Sequence, residues 1–175
     1  WADAPGVDQV VICSPDKDLM QMVRGDRIVS LDRRRGITFD EDGVREKFGI
    51  PPASIADYLA LVGDAADGIP GVPRWGAKSA AAVLARYGHL EDIPERSEVW
   101  DVSVRGAKTM ATNLAGNREA AALYKELTTL RLDVHIAEDL ADLEWNGVNR
   151  PQYEALCKEL GFEALLYLPH RWVGD

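Results

Sequence analysis

Cysteine is nearly absent from this chain. Cys13 and Cys157 are the only two in 175 residues, and their wide separation fits a reducing compartment and free thiols rather than a disulfide. Cys13 lies in an apolar run and Cys157 on the inner face of an expected helix, so both thiols are expected to be buried. No Cys or His spacing suits a structural zinc. A core must therefore hold the fold by itself, which a chain of this length can do, since about two thirds of its unfolded surface can be buried. Aromatic residues are few, at 7%. No apolar stretch approaches the ~18 residues of a membrane span, and no basic-then-apolar leader opens the chain, so a cytoplasmic, membrane-free protein is expected. Repeats, low-complexity tracts and long linkers are missing too. The chain opens at Trp1 without a methionine, and a piece of something longer is expected.

Basic residues are in deficit: 20 Lys and Arg against 29 Asp and Glu leave a net charge of −9. Bulk charge thus excludes indiscriminate binding to nucleic acid, but phosphate affinity depends on where the cations sit. Acids are missing from two windows. Between Asp67 and Glu91 lie Arg74, Lys78 and Arg86; between Asp101 and Glu119 lie Arg105, Lys108 and Arg118. Both windows are candidate basic patches.

Gln9 to Cys13 reads as a buried parallel strand, stopped by Ser14 and Pro15 and followed by a helix over Lys17 to Val23. Arg27 to Leu31 and Ile37 to Phe39 alternate about a polar turn and predict a hairpin, with Arg33, Arg34 and Arg35 as a solvated tip. From Asp40 the pattern is helical: Glu41 to Phe48 ending at Gly49, a helix capped by Ser54, and Ala77 to Tyr87 closed by Gly88. Three more are expected: Val104 to Ala115, Arg118 to Leu130 capped by Asn117, and Pro151 to Leu160 capped by Asn149. A short turn of helix can follow within Gly161 to Leu168. A strand-bearing part over residues 1–50 and a helical lobe over 51–175 result.

Three segments carry chemistry. Ser14-Pro15-Asp16-Lys17-Asp18 stands where a parallel strand gives way to a helix, the place where open α/β sheets bind ligands. Asp16 and Asp18 can address one ion; alternatively Asp16 caps the helix and Asp18 favours its dipole. Gly63-Asp64-Ala65-Ala66-Asp67-Gly68 offers a second carboxylate pair, or else a turn with solvated acids. If all four acids converge they are hard oxygen ligands that suit Mg²⁺ or Mn²⁺, and without a cation their mutual repulsion would raise their pKa values. The third segment, Ile69-Pro70-Gly71-Val72-Pro73-Arg74-Trp75-Gly76-Ala77-Lys78-Ser79, joins two helices through a glycine-bounded hairpin. Its backbone N–H groups and Lys78 can meet a phosphate at the start of the second helix, although a close-packed helical corner accounts for the glycines as well.

These motifs in this order, with N-R-E-A-A-A-L-Y-K-E-L-T-T-L-R-L-D-V and E-L-G-F-E-A-L-L behind them, resemble the bacterial 5′-to-3′ exonuclease and flap endonuclease family, free-standing or N-terminal in DNA polymerase I. The resemblance runs from about Val7 to Leu166. It implies an α/β, mainly helical fold: part of a PIN-like parallel sheet, plus a helix-3-turn-helix lobe with its helix-hairpin-helix at 55–88. It implies DNA phosphodiester hydrolysis in replication and repair with two divalent ions, Mg²⁺ or Mn²⁺, on branched or duplex DNA with 5′ ends. Asp16, Asp18, Asp64 and Asp67 match metal-ligand positions. Gly71, Val72 and Trp75 match those whose carbonyls hold K⁺, and Gly71, Arg74, Gly76, Lys78 and Ser79 fall in the DNA-binding hairpin. Two positions depart from the family pattern, Gly68 for the usual Asn and Arg74-Trp75-Gly76 for the common G-I-G. The family's first strand with its metal-binding Asp, its basic arch and a further acidic helix have no counterpart before Trp1. The resemblance therefore implies a C-terminal portion of the nuclease, inactive as it stands, with self-association or a companion segment covering the open face. From a different functional class, a non-catalytic helix-hairpin-helix DNA-binding module is the alternative.

Overall fold

The computed structural model describes residues 1–174, which form two compact units, 1–132 and 133–174. In the first unit the strands β1 (Val10–Ile12), β2 (Ile28–Asp32) and β3 (Ile37–Phe39) make one sheet in the order β1-β2-β3. β1 runs parallel to β2, with Ile12 opposite Ser30, and β3 returns antiparallel as the expected hairpin. Between β1 and β2 the chain forms a 3₁₀ turn, Asp18–Met22, instead of the expected α-helix. The segment drops Met20 into the core and turns extended at Val23, leaving no length for an α-helical ladder.

The helices follow: α1 (Glu41–Phe48), α2 (Ile55–Val62), α3 (Ala77–Tyr87), α4 (Ala107–Gly116) and α5 (Arg118–Thr128). α1 is capped by Asp40, whose carboxylate accepts the Gly43 N–H at 2.8 Å, and stopped by left-handed Gly49. α2 is buried nearly all round, packing against α3 and α5, and is the axis of the unit. Met20, Val44 and Ile50 share one core with Leu59, Val83, Leu84 and Leu114. The strand-bearing segment and the first five helices therefore stand on common apolar contacts, and the boundary between compact units falls after Leu132. In the second unit, α6 (Arg150–Leu160) is capped by Asn149, which accepts the Gln152 N–H at 3.1 Å, and a 3₁₀ turn follows at Glu163–Leu165.

Several local expectations need correction. Cys157 is buried, but Cys13 is exposed. It shares a strand face with Val11, which is 44% exposed, so this face of β1 is open. Ser54 and Asn117 stand at helix starts without capping them. The Ser54 hydroxyl donates to the Gly88 carbonyl at 2.7 Å, and the Asn117 amide donates to the Asn113 carbonyl at 2.7 Å. α4 begins three residues later than expected, because Gly106 takes a left-handed conformation (φ 81°). No helix among the described residues is long and apolar enough to cross a membrane.

Candidate functional site

The acidic loop is built by two backbone crossings. Asp64 and Ile69 exchange N–H···O bonds of 2.8 Å in both directions, closing a tight loop after α2. Gly63 (φ 87°) and Gly71 (φ 73°) cross at its root. A Cβ on Gly71 would lie 2.5 Å from the Gly63 nitrogen, and one on Gly63 would lie 2.8 Å from the Ile69 and Pro70 carbonyl oxygens. Both positions therefore require glycine. The Val72 N–H donates to the Leu61 carbonyl at 2.8 Å, so the hairpin is tied to the helix that presents the acids.

This frame turns Asp64 inward and leaves Asp67 exposed, while the 3₁₀ turn brings Asp18 alongside. Carboxylate oxygens of Asp18, Asp64 and Asp67 lie within 4.8 Å of one another. Asp16 stands outside this group, exposed at the exit of β1, where its carboxylate accepts the Asp18 N–H at 3.1 Å. This contact closes a local turn, and the 3₁₀ segment that follows Lys17 begins without a side-chain cap. Lys17, which carried no role in the sequence reading, is ion-paired with buried Asp64. Its place between two aspartates was the available signal, since the turn that brings Asp18 inward carries its neighbour with it.

The electrostatics follow from this crowding. Burial, then the charge of Asp16, then those of Asp64 and Asp67 push the Asp18 carboxyl up to about 6, against the opposing pull of Lys17. Asp64 goes the other way, its pKa held below the usual carboxylate range chiefly by the hydrogen bond from Lys17. Burial works against the Lys17 charge, yet Asp64, Asp18 and Asp67 outweigh it and raise the lysine's pKa. One Asp18 oxygen, Oδ1, is buried without a hydrogen-bond partner. All three donors are hard oxygens, and this set, with the buried Asp18 Oδ1 among them, fits Mg²⁺ or Mn²⁺. Mg²⁺ commonly keeps several waters, so three carboxylates are an adequate protein share for one ion.

Of the hairpin residues, Val72 and Trp75 are buried, Arg74, Gly76 and Lys78 are exposed, and Gly71 and Ser79 are half-buried. The Trp75 N–H donates to the Val72 carbonyl at 3.1 Å, so this backbone donor is spent within the hairpin. Gly76 opens α3 with no side-chain cap, and the first N–H groups of that helix lack intrahelical partners. α4 is docked beside the hairpin. The Trp75 indole donates to the Met110 carbonyl at 3.1 Å, and the Asn113 amide donates to the Pro73 carbonyl at 2.7 Å. The two acid-free windows of the sequence are thereby joined, with Arg105 and Lys108 exposed at the start of α4.

This chain is 38% identical to DNA polymerase I of Pseudomonas aeruginosa over 99% of its own length and 18% of that protein's. It is 36% identical to DNA polymerase I of Bacillus subtilis over 90% of this chain and 18% of the relative. To a 5′-3′ exonuclease of Buchnera aphidicola it is 34% identical over 78% of this chain and 48% of the relative. It therefore spans less than a fifth of the polymerases and about half of the exonuclease. Among solved structures, T5 5′-exonuclease with bound zinc superposes with a TM-score of 0.57 at 20% identity, over 69% of this chain and 43% of that one. The family model described as the C-terminal SAM fold of 5′-3′ exonuclease matches residues 50–151. The chain belongs to the 5′-3′ exonuclease family.

Proposed function

We propose that the protein serves metal-dependent hydrolysis of DNA phosphodiesters, of the 5′-to-3′ exonuclease and flap endonuclease kind. The observation that carries this reading is the meeting of Asp18, Asp64 and Asp67 within 4.8 Å, the last two on a loop whose root is also the root of the basic hairpin. Asp18, Asp64 and Asp67 hold a divalent ion, and Asp16 stands at the entrance. When bound, such an ion supplies charge stabilisation for a phosphoryl oxygen and a lowered pKa for water. Asp18 with its unpartnered oxygen and Asp64 in its closed loop fix the position of that charge. Lys17 compensates the charge of Asp64. Gly71, Arg74, Gly76, Lys78 and Ser79 hold duplex DNA by its phosphates, and exposed Arg105 and Lys108 extend the positive surface. The carbonyls of Gly71, Val72 and Trp75 would hold a K⁺ ion, which would supply positive charge toward a DNA phosphate. Branched or duplex DNA with a 5′ end is the substrate class.

The relatives' names support this reading, and so does the T5 D15 flap endonuclease structure with DNA and metal ions, which shares the fold at a TM-score of 0.57. A second reading, a DNA-binding module without catalysis, draws on the ion pair of Lys17 with Asp64, which neutralises part of the pocket without any metal. A Mn²⁺ titration beside a 5′-flap binding assay separates the two. The nuclease reading expects saturable Mn²⁺ binding that disappears in Asp64→Asn, with cleavage barely above background. DNA binding without Mn²⁺ binding above the Asp64→Asn background supports the module. On either reading Lys78→Ala weakens binding to all sequences alike and lowers the salt slope by about 0.9.

A further inference from the structure

The three consecutive arginines at the β2–β3 turn occupy a position with a chemical neighbour. β1 and β2 run parallel with Ile12 opposite Ser30, so both leave the sheet at the same edge, one into Ser14 to Asp18 and the other into Arg33 to Arg35. A cleft of about 330 Å³ opens there, lined by Pro15, Asp32, Arg34, Arg35, Phe39 and Lys47. Pro15 immediately precedes Asp16, so the cleft adjoins the loop that carries Asp18.

Its charge is opposite to that of the carboxylate pocket. Lys47 Nζ lies 4.4 Å from the Phe39 ring centroid and 3.9 Å from Met20 Sδ, neighbours that carry no formal negative charge. Among the described residues neither Arg34 nor Lys47 takes part in an ion pair. Asp32 is the one acid lining the cleft. Its Oδ1 is engaged by the N–H groups of Arg34 and Arg35, at 3.1 Å each, and its Oδ2 is 3.7 Å from Arg35 Nε. Three cations thus face one carboxylate that already organises the turn. Burial first, and after it the Arg35 charge, hold the Lys47 pKa below that of an ordinary lysine, against the opposing pull of Asp32.

We propose that this cleft is a phosphate subsite, taking a backbone phosphate of the DNA strand that enters the carboxylate pocket, with Arg34, Arg35 and Lys47 as its binding groups. It rests on the DNA-hydrolase reading and adds to it a second contact on that strand, separate from the duplex-binding hairpin. Two guanidinium forks suit the oxygens of a phosphodiester, and the ammonium adds a point charge. A positive cleft beside the loop that carries Asp18 offsets the repulsion that a phosphate meets on approaching the carboxylates.

The full chain is titrated with a duplex bearing a single-stranded 5′ arm and with the same duplex blunt-ended. Arg35→Ala and Lys47→Gln are expected to weaken the armed duplex about threefold to tenfold and to lower its salt slope by about 0.7. The blunt duplex binds as before. Arg33→Ala removes the same charge from the same turn outside the cleft and is expected to leave both affinities unchanged. Equal losses for Arg33→Ala and Arg35→Ala, or equal losses on both DNAs, overturn the subsite. Arg35→Gln repeats the test with a longer side chain, and an unchanged melting temperature shows that each variant is folded. Lys78→Ala separates the two readings: if it weakens binding while Arg35→Ala and Lys47→Gln do not, the subsite alone falls. A wild-type chain that binds neither DNA removes both.

Discussion

Arg74 is the one non-glycine residue with a positive φ among the described residues, at 72°. A side chain in the left-handed region costs roughly 1–2 kcal/mol. The hairpin retains this cost while placing an exposed guanidinium at its tip. Arg74→Gly should therefore stabilise the fold by about 1 kcal/mol, less the added entropy of glycine in the unfolded chain, and weaken duplex binding at the same time. Chemical denaturation and a DNA titration on the same variant check both halves; a gain in both, or a loss in both, contradicts the account. Residue-scale legibility was uneven. Asp18, Asp64 and Asp67 could be picked out as members of two acidic pairs, at a strand exit and after a helix, although acidic turns are common and each pair alone left a capping or solvated-turn reading open. The outward turn of Asp16 and the inward turn of Lys17 could not, since they depend on five residues of 3₁₀ rather than α geometry.

At the scale of elements, α2 and α5 are joined by a buried charge. Asp57 is fully buried on α2, accepts the Leu90 N–H at 2.8 Å, and meets Lys125 of α5 at 2.7 Å and His89 at 3.0 Å. Lys125 also reaches Glu91 at 2.7 Å. Burial opposes the charge on each, but their mutual pairing, with Asp57, raises the Lys125 pKa and lowers that of Glu91. The raised lysine contributes stability that is complete below 10.5 and lost as pH climbs through its folded value. The lowered glutamate contributes stability present above 4.5 and lost as pH falls through its folded value. Lys125→Met leaves Asp57 buried without its cation and should cost about 3 kcal/mol near neutrality. It should also flatten both shoulders of melting temperature against pH, and intact shoulders would assign them elsewhere. Gly71→Ala is a second test at this scale. With a Cβ 2.5 Å from the Gly63 nitrogen, the crossing must open, at a cost of about 2 kcal/mol or more. DNA binding and divalent-ion binding should be lost together; loss of one alone would show that the loop and hairpin are independent.

Helix and hairpin bounds were largely legible, because Gly49, Gly63, Gly88 and Gly161 punctuate strong apolar periods. β3, α1 and α3 fall where periodicity places them, and β2 one residue later. What escaped was set by tertiary contact. Ser54 reads as a cap until Gly88 comes within reach, and α4 starts late only because Gly106 turns left-handed. The exposure of Cys13 depends on which face of β1 is covered, and a run of five apolar or polar-neutral residues does not encode that.

For the molecule as a whole, the acidic pocket and the basic surfaces are two consequences of one topology. The parallel pairing of β1 with β2 sends both strand exits to one edge of the sheet, and the crossing of Gly63 with Gly71 ties the acidic loop to the hairpin. A net charge of −9 is thereby compatible with phosphate binding, because the acids are excluded from two windows that α4 docking brings together. The family match to residues 50–151 covers the acidic loop, the hairpin and α4, and Asp18 lies outside it. The strand-bearing segment must therefore supply the third carboxylate. The most direct test of this shared pocket is a Mn²⁺ titration of the full chain, followed by the paramagnetic resonance of free Mn²⁺, for the wild type, Asp18→Asn and Asp64→Asn. The account predicts saturable binding by the wild type that is greatly weakened by each substitution, although the two residues come from different segments; binding that survives Asp18→Asn unchanged would contradict it.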